Sequence, residues 1–315
     1  MSVVTGSLLA AGALVSLASF LVGLVVVHRL SELELGPAAA RRTVWLLAFF
    51  PAALFLSAFY TEALFLALTA GAVYLARTGR FGWACAVGAL ASATRNTGVL
   101  VAVPIALLYL YGPREDRPQP PGPPLGERRW AARIRPRHPL RADALWILLV
   151  PAGLVAFTIY QQVRFGDPLA TWHVQTFWSR GFHGPFSAVW YSIPKTWGAT
   201  YELFTGSHDT FESPVAKLAL FAALVLAVVS VVGLFRRLPV AYGAYVLAAL
   251  APPLSSPWPA HPLMSLPRFL TVLFPIHMWL ALHTAPPRRF AVVLVASGAM
   301  LAVLSVKFAT WGWAG

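Results

Sequence analysis

Two polar interruptions in an otherwise apolar stretch carry the residues best suited to chemistry. From Thr43 to Tyr111 the chain is almost wholly apolar, broken at Tyr60-Thr61-Glu62, at Arg77 to Arg80 and at Arg95-Asn96-Thr97. An ionisable side chain at a break between membrane spans is costly to place there and points to a functional site. Glu62 and Arg95 are two such residues. Further on, Arg164 and Asp167 stand in YQQVRFGDPLA, Arg180 follows in the same polar region, and Arg268 sits in SLPRFLTVLFP. A guanidinium matches phosphate oxygens in a bidentate fork. A carboxylate beside such arginines could take the proton of a hydroxyl acceptor while they hold a leaving phosphate. Glu62 is therefore the candidate catalytic residue. Tyr60, Arg95, Asn96, Arg164, Asp167, Arg180 and Arg268 form the candidate substrate-binding set.

Plainer roles compete with each of these. Thr61 could N-cap a helix with Glu62 favoured in its first turn by the helix dipole. Asn96 or Thr97 could cap the next span, and Arg95 could snorkel to the interface. Arg164 and Asp167 could form a local ion pair. The tryptophans between Trp172 and Trp197 suit an interfacial belt better than sugar-stacking platforms. His173, His183, His208 and His261 lack metal-ligand spacing, so neither a metal nor a cofactor is expected.

Composition says what must position these groups. Of 315 residues, 58% are hydrophobic and 11% charged, with mean hydropathy +0.68. A soluble domain carries about 25% charged residues, so the chain is read as an all-α polytopic membrane protein. The net charge of +13 does not indicate nucleic acid, because the cations gather in short loops between spans, as on the cytoplasmic side of membrane proteins. The single Cys85 lies within a span and supports no disulfide framework.

About ten spans are expected: 6–27, 43–59, 63–76, 81–93, 98–111, 144–160, 214–235, 240–254, 269–285 and 290–309. Those of the first third are short for a hydrocarbon core that takes about 20 residues. Their turns are then expected at membrane depth, facing a water-filled cavity or buried in protein. One transmembrane domain covers 1–315, with 112–142 a cytoplasmic basic loop and 161–213 an extracytoplasmic aromatic loop. A polar loop is expected to end in Arg41-Arg42. The positive-inside rule places Glu62, Arg95 and the aromatic loop outside the cytoplasm of a cell-membrane protein, with both termini outside.

The segment from Phe49 to Val101 resembles the signature region of bacterial PIG-V-like mannosyltransferases, relatives of the second mannosyltransferase of glycosylphosphatidylinositol synthesis. The residues that carry the resemblance are Phe50-Pro51, Ser57-Ala58, Tyr60-Thr61-Glu62, the Arg77 to Arg80 turn and Thr94-Arg95. RFGDPLATWHVQTFW and SLPRFLTVLFP are similar to the same family. The resemblance implies a GT-C glycosyltransferase fold and a polyprenyl-phosphate-mannose donor that enters laterally. It also implies transfer with inversion to a lipid or glycan acceptor. An essential acidic residue in a Trp-Asp context is implied in a first outer loop. Nothing before Leu8 supplies that loop, so a chain lacking the N-terminal span and first outer loop is expected, with a start placed too late and a truncated, inactive copy as the two readings.

A transporter or flippase of a lipid-linked substrate is the alternative. Many transporters show matching broken spans in two halves. Here the short spans cluster in the first third without a second copy. A structural subunit that has lost its first loop is a third reading.

Overall fold

The computed structural model describes residues 7–117, 136–206 and 212–310. Most of the expected basic loop, together with His208 and Asp209, therefore lies outside the described residues. Among the described residues the chain is helical, with no strand. The helices are α1 (Leu8–Leu35), α2 (Pro37–Ala48), α3 (Leu54–Ser57), α4 (Glu62–Arg77), α5 (Phe81–Thr94) and α6 (Ala102–Tyr111). They continue as α7 (Ala152–Phe165), α8 (Ala170–His173), α9 (Ser187–Thr205), α10 (Pro214–Arg237), α11 (Val240–Ser255), α12 (Leu266–Val272), α13 (Phe274–His283) and α14 (Pro287–Ala309). Short 3-10 segments at Asn96–Val101 and Ala142–Leu149 lead into α6 and α7.

Among the described residues four helical stretches are long and apolar enough to cross a membrane: Leu9–Leu35, Ala142–Phe165, Pro214–Arg237 and Pro287–Ala309. Their outward faces expose large apolar side chains such as Leu21, Val228 and Val295, as helices bathed in lipid do. The chain is an all-helical membrane protein. Its packed centre is α4, which lies against both α1 and α5. Ala63, Leu66, Ala70 and Val73 on α4 are all fully buried, and the alanines let the neighbouring backbones approach closely.

Three expected boundaries change. The first span does not give way to a polar loop: α1 runs on to Leu35 and α2 carries Arg41 and Arg42 within a helix. Hydropathy marks where a span leaves lipid, not where the helix stops. The polar extension is held by partners: Arg77 Nε donates to Glu34 Oε1 at 2.6 Å, Tyr242 Oη donates to the same oxygen at 3.0 Å, and Arg42 Nε donates to the Ala281 carbonyl at 2.9 Å. The expected span 43–59 is broken, since α2 ends at Ala48 and only one helical turn, α3, precedes Tyr60. The expected loop 161–213 is largely helical in its described part. It holds α8 and the 19-residue α9, which packs Ser192 and Ala199 inward and turns Trp190 and Trp197 outward. Polar and aromatic residues at helical spacing look like a loop when only mean hydropathy is read.

Candidate functional site

Glu62 is the first residue of α4 and is completely buried. Thr61 occupies the N-cap position, yet its side chain makes no cap hydrogen bond. Capping therefore does not account for this polar pair. Arg95 leaves the end of α5 in extended conformation, φ −149° and ψ 142°, and its Nη1 donates to Glu62 Oε1 at 2.5 Å. Arg268, on α12, donates from Nε to the same oxygen. Glu62 Oε2 is buried without a hydrogen-bond partner among the described residues. The two chain breaks singled out in the sequence thus meet, and a third element 206 positions from Glu62 joins them.

Aromatic rings hold the guanidinium groups in place. The Arg268 guanidinium carbon lies 4.6 Å from the Tyr60 ring centroid and 5.2 Å from that of Phe55. That of Arg95 lies 5.6 Å from the Phe65 centroid. Attraction of a cation to a ring face strengthens as the pair loses water. Tyr60 therefore orients Arg268. Phe55 and Phe65 were not anticipated, because in sequence they are two more apolar residues of apolar helices.

Beside this cluster opens a cavity of about 460 Å³, whose wall includes Arg95, Asn96, Trp172, Gln175, Arg180 and Phe269. The volume falls within the range typical of ligand pockets. Arg180 has a buried Nε with no hydrogen-bond partner among the described residues. Burial, and after it the charge of Arg268, lowers its pKa from the ordinary guanidinium value. An anion against Arg180 would relieve both effects. Arg95 and Arg268 share one carboxylate, Glu62, and Arg180 lines the cavity beside Arg95, so three arginines accompany a single carboxylate and the site carries excess positive charge.

Two expected residues stand apart. Arg164 is exposed in the last turn of α7 and is not part of the cavity wall. Asp167 turns to His173, with His173 Nδ1 2.7 Å from Asp167 Oδ2, and accepts from the Leu169 amide at 2.9 Å. The hydrogen bond with His173 holds the Asp167 carboxyl below the usual carboxylate range. The local pairing of Asp167 is thus with His173 rather than with Arg164. Trp172 and Gln175, in the segment that follows, do reach the cavity.

No curated protein and no solved structure matches the chain. A family model described as Mannosyltransferase (PIG-V) matches residues 2–110. The match takes in Tyr60, Glu62, Arg95 and Asn96 and stops before Arg180 and Arg268. Over that first third the chain is similar to the PIG-V mannosyltransferases, and this similarity supports a glycosyltransferase role.

Proposed function

We propose that the chain is a GT-C-type mannosyltransferase that moves mannose from a polyprenyl-phosphate-mannose donor to a lipid or glycan acceptor. The observation that carries this reading is the buried Glu62 shared by Arg95 and Arg268, with Arg95 and Arg180 exposed to one cavity. In the reaction an acceptor hydroxyl attacks the anomeric carbon as the bond from that carbon to the phosphate oxygen breaks. The phosphate leaves with the electron pair, and the arginines neutralise the charge that develops on it. The hydroxyl proton passes to a base. Glu62 is fully buried, and it is Arg95 rather than Glu62 that forms the cavity wall. We therefore assign Glu62 the role of positioning Arg95 and Arg268, in place of the catalytic role expected for it. Arg164 and Asp167, which stand apart from the cavity wall, remain candidates for contacts to the acceptor.

Ten membrane segments fit the helices when α2 with α3, and α12 with α13, each count as one broken span. The site then faces outside the cytoplasm of a cell-membrane protein. In a Cys85→Ala background, Gly181→Cys should react with an impermeant outside thiol reagent, and Arg288→Cys should not. The opposite pattern would reverse the orientation.

Incubating membranes with and without the protein with radiolabelled polyprenyl-phosphate-mannose tests the activity. Protein-dependent appearance of label in the acceptor fraction is expected. Donor that changes leaflet without losing its mannose would instead indicate a flippase. Within this reading, Arg180→Lys should weaken donor binding about tenfold, because a point charge cannot replace the bidentate fork. A wild-type KM for the donor in that variant would remove Arg180 from the phosphate site.

A further inference from the structure

A second cavity, of about 370 Å³, lies between α2, α10 and α14, with Pro267 of α12 in its wall. Its wall is almost wholly aliphatic. α10 contributes Ala216, Leu220, Ala223 and Leu226, and α14 contributes Val293, Ser297, Met300 and Leu304. Both sets recur every three to four residues, so each is one continuous helical face. Along α14 the contact runs from Val293 to Lys307, about 21 Å at 1.5 Å per residue. α14 has no buried residue. The cavity is thus a long apolar slot between two membrane-length helices.

One end of the slot is charged. Glu212, just before the N-cap Ser213 of α10, and Lys307, in the last turn of α14, both form part of its wall. The Glu212 side chain is 8% exposed, and its Oε2 lies 3.1 Å from His261 Nδ1. Its other oxygen, Oε1, is buried and has no hydrogen-bond partner among the described residues. A carboxylate oxygen left bare in such surroundings calls for a donor. The side chain that Glu212 Oε2 approaches is His261 rather than Lys307, so an acceptor and a cation remain at the mouth of one apolar slot.

We propose that this slot binds a membrane phospholipid with a primary-amine headgroup, of the phosphatidylethanolamine type. Its acyl chain packs along α10 and α14, its ammonium donates to Glu212 Oε1, and its phosphate lies against Lys307. An ammonium has N–H donors for the bare oxygen. A quaternary choline has none, and a phosphatidylglycerol brings no cation at all. In lipid, a chain gains little by leaving its neighbours, and the match comes from packing and from the two polar contacts. The site does not depend on the transferase reading and is tested without the transfer reaction.

The experiment uses the full chain, purified and delipidated in detergent. Dioleoyl phosphatidylethanolamine, phosphatidylcholine and phosphatidylglycerol are added in turn. Bound lipid is read by native mass spectrometry and stability by the Tm. Phosphatidylethanolamine should bind at one equivalent and raise the Tm, and the other two should do neither. Glu212→Gln and Lys307→Gln should each weaken its binding about tenfold or more, and Ser297→Phe, which fills the slot, should remove it. Equal binding of all three lipids, or no binding by the wild-type chain, overturns the proposal. Should Glu212→Gln fail to fold, Lys307→Gln and Ser297→Phe still decide: unchanged lipid binding in both overturns it.

Discussion

Replacing Glu62 by Gln is expected to lower transfer about 10²-fold and to reduce stability by about 3 kcal/mol. The carboxylate is fully buried, and one of its oxygens accepts from two guanidinium groups, Arg95 and Arg268. An amide retains the shape but leaves two cations facing each other without a counter-charge. Both effects follow, because the same charge that holds α4, α5 and α12 together also aims the arginines. Glu62→Asp separates this from a simple helix-start role. At the first position of a helix Asp serves the dipole as well as Glu does. In the clamp it is one carbon too short to meet both arginines. A helix-start residue would lose only about 0.3–1 kcal/mol in Gln and nothing in Asp. Unaltered turnover in Glu62→Asp, measured with donor at saturation, would therefore refute the clamp. Arg268→Ala should match Glu62→Gln in turnover, since it removes one arm of the same unit, and the double variant should cost little more than either alone.

How far the sequence exposed this site depends on distance along the chain. The helical membrane class was legible because hydropathy is a sum over many residues. The meeting of Glu62 with Arg95 was legible as well. Both stand at turns of consecutive hairpins, and α4 with α5 makes neighbours of the hairpin ends. Arg268 was visible as a cation in a compact context, but not as a ligand of Glu62. Nothing local sets the approach of α12 to α4, which depends on how α10, α11 and α13 stack. Arg164 and Asp167 show the converse. Their closeness in sequence suggests a local ion pair, yet the left-handed Gly166 (φ +71°) turns the chain, and Asp167 pairs with His173. The helix within the aromatic region is hard to see in sequence because polar and aromatic residues lower the mean hydropathy of α9. Only its burial pattern, with Ser192 and Ala199 inward, shows a helix. The tail of α1 was lost for a related reason, since Glu34 looks like a loop residue until Arg77 and Tyr242 are placed beside it.

Gly98→Ala is expected to be as damaging as any single change near the site, although the residue carries no chemistry. Gly98 lies in the 3-10 turn Asn96–Val101, where the chain folds back against the end of α5. A Cβ there would stand 2.1 Å from the Ala91 carbonyl oxygen and 2.6 Å from the Ser92 amide nitrogen. Both are backbone atoms of a helix and cannot swing aside as a side chain would. Ser92 is itself pinned, since its Oγ donates to the Val150 carbonyl at 2.6 Å and accepts from the Leu154 amide at 3.1 Å. The strain must therefore fall on residues 95–98. The Arg95 carbonyl, which accepts from the Gly98 amide at 2.8 Å, moves with the turn and carries the guanidinium away from Glu62. Overpacking of this kind costs about 1–3 kcal/mol, and a displacement of about 1 Å at Arg95 would lower turnover about 10²-fold. Gly71→Ala on α4 is the matched control, because its Cβ would meet only Val87 Cγ1 at 3.7 Å, an ordinary contact. Measured side by side in one detergent, Gly71→Ala should keep the wild-type Tm and turnover while Gly98→Ala loses both. If Gly98→Ala keeps wild-type turnover, then Arg95 does not depend on this turn for its position.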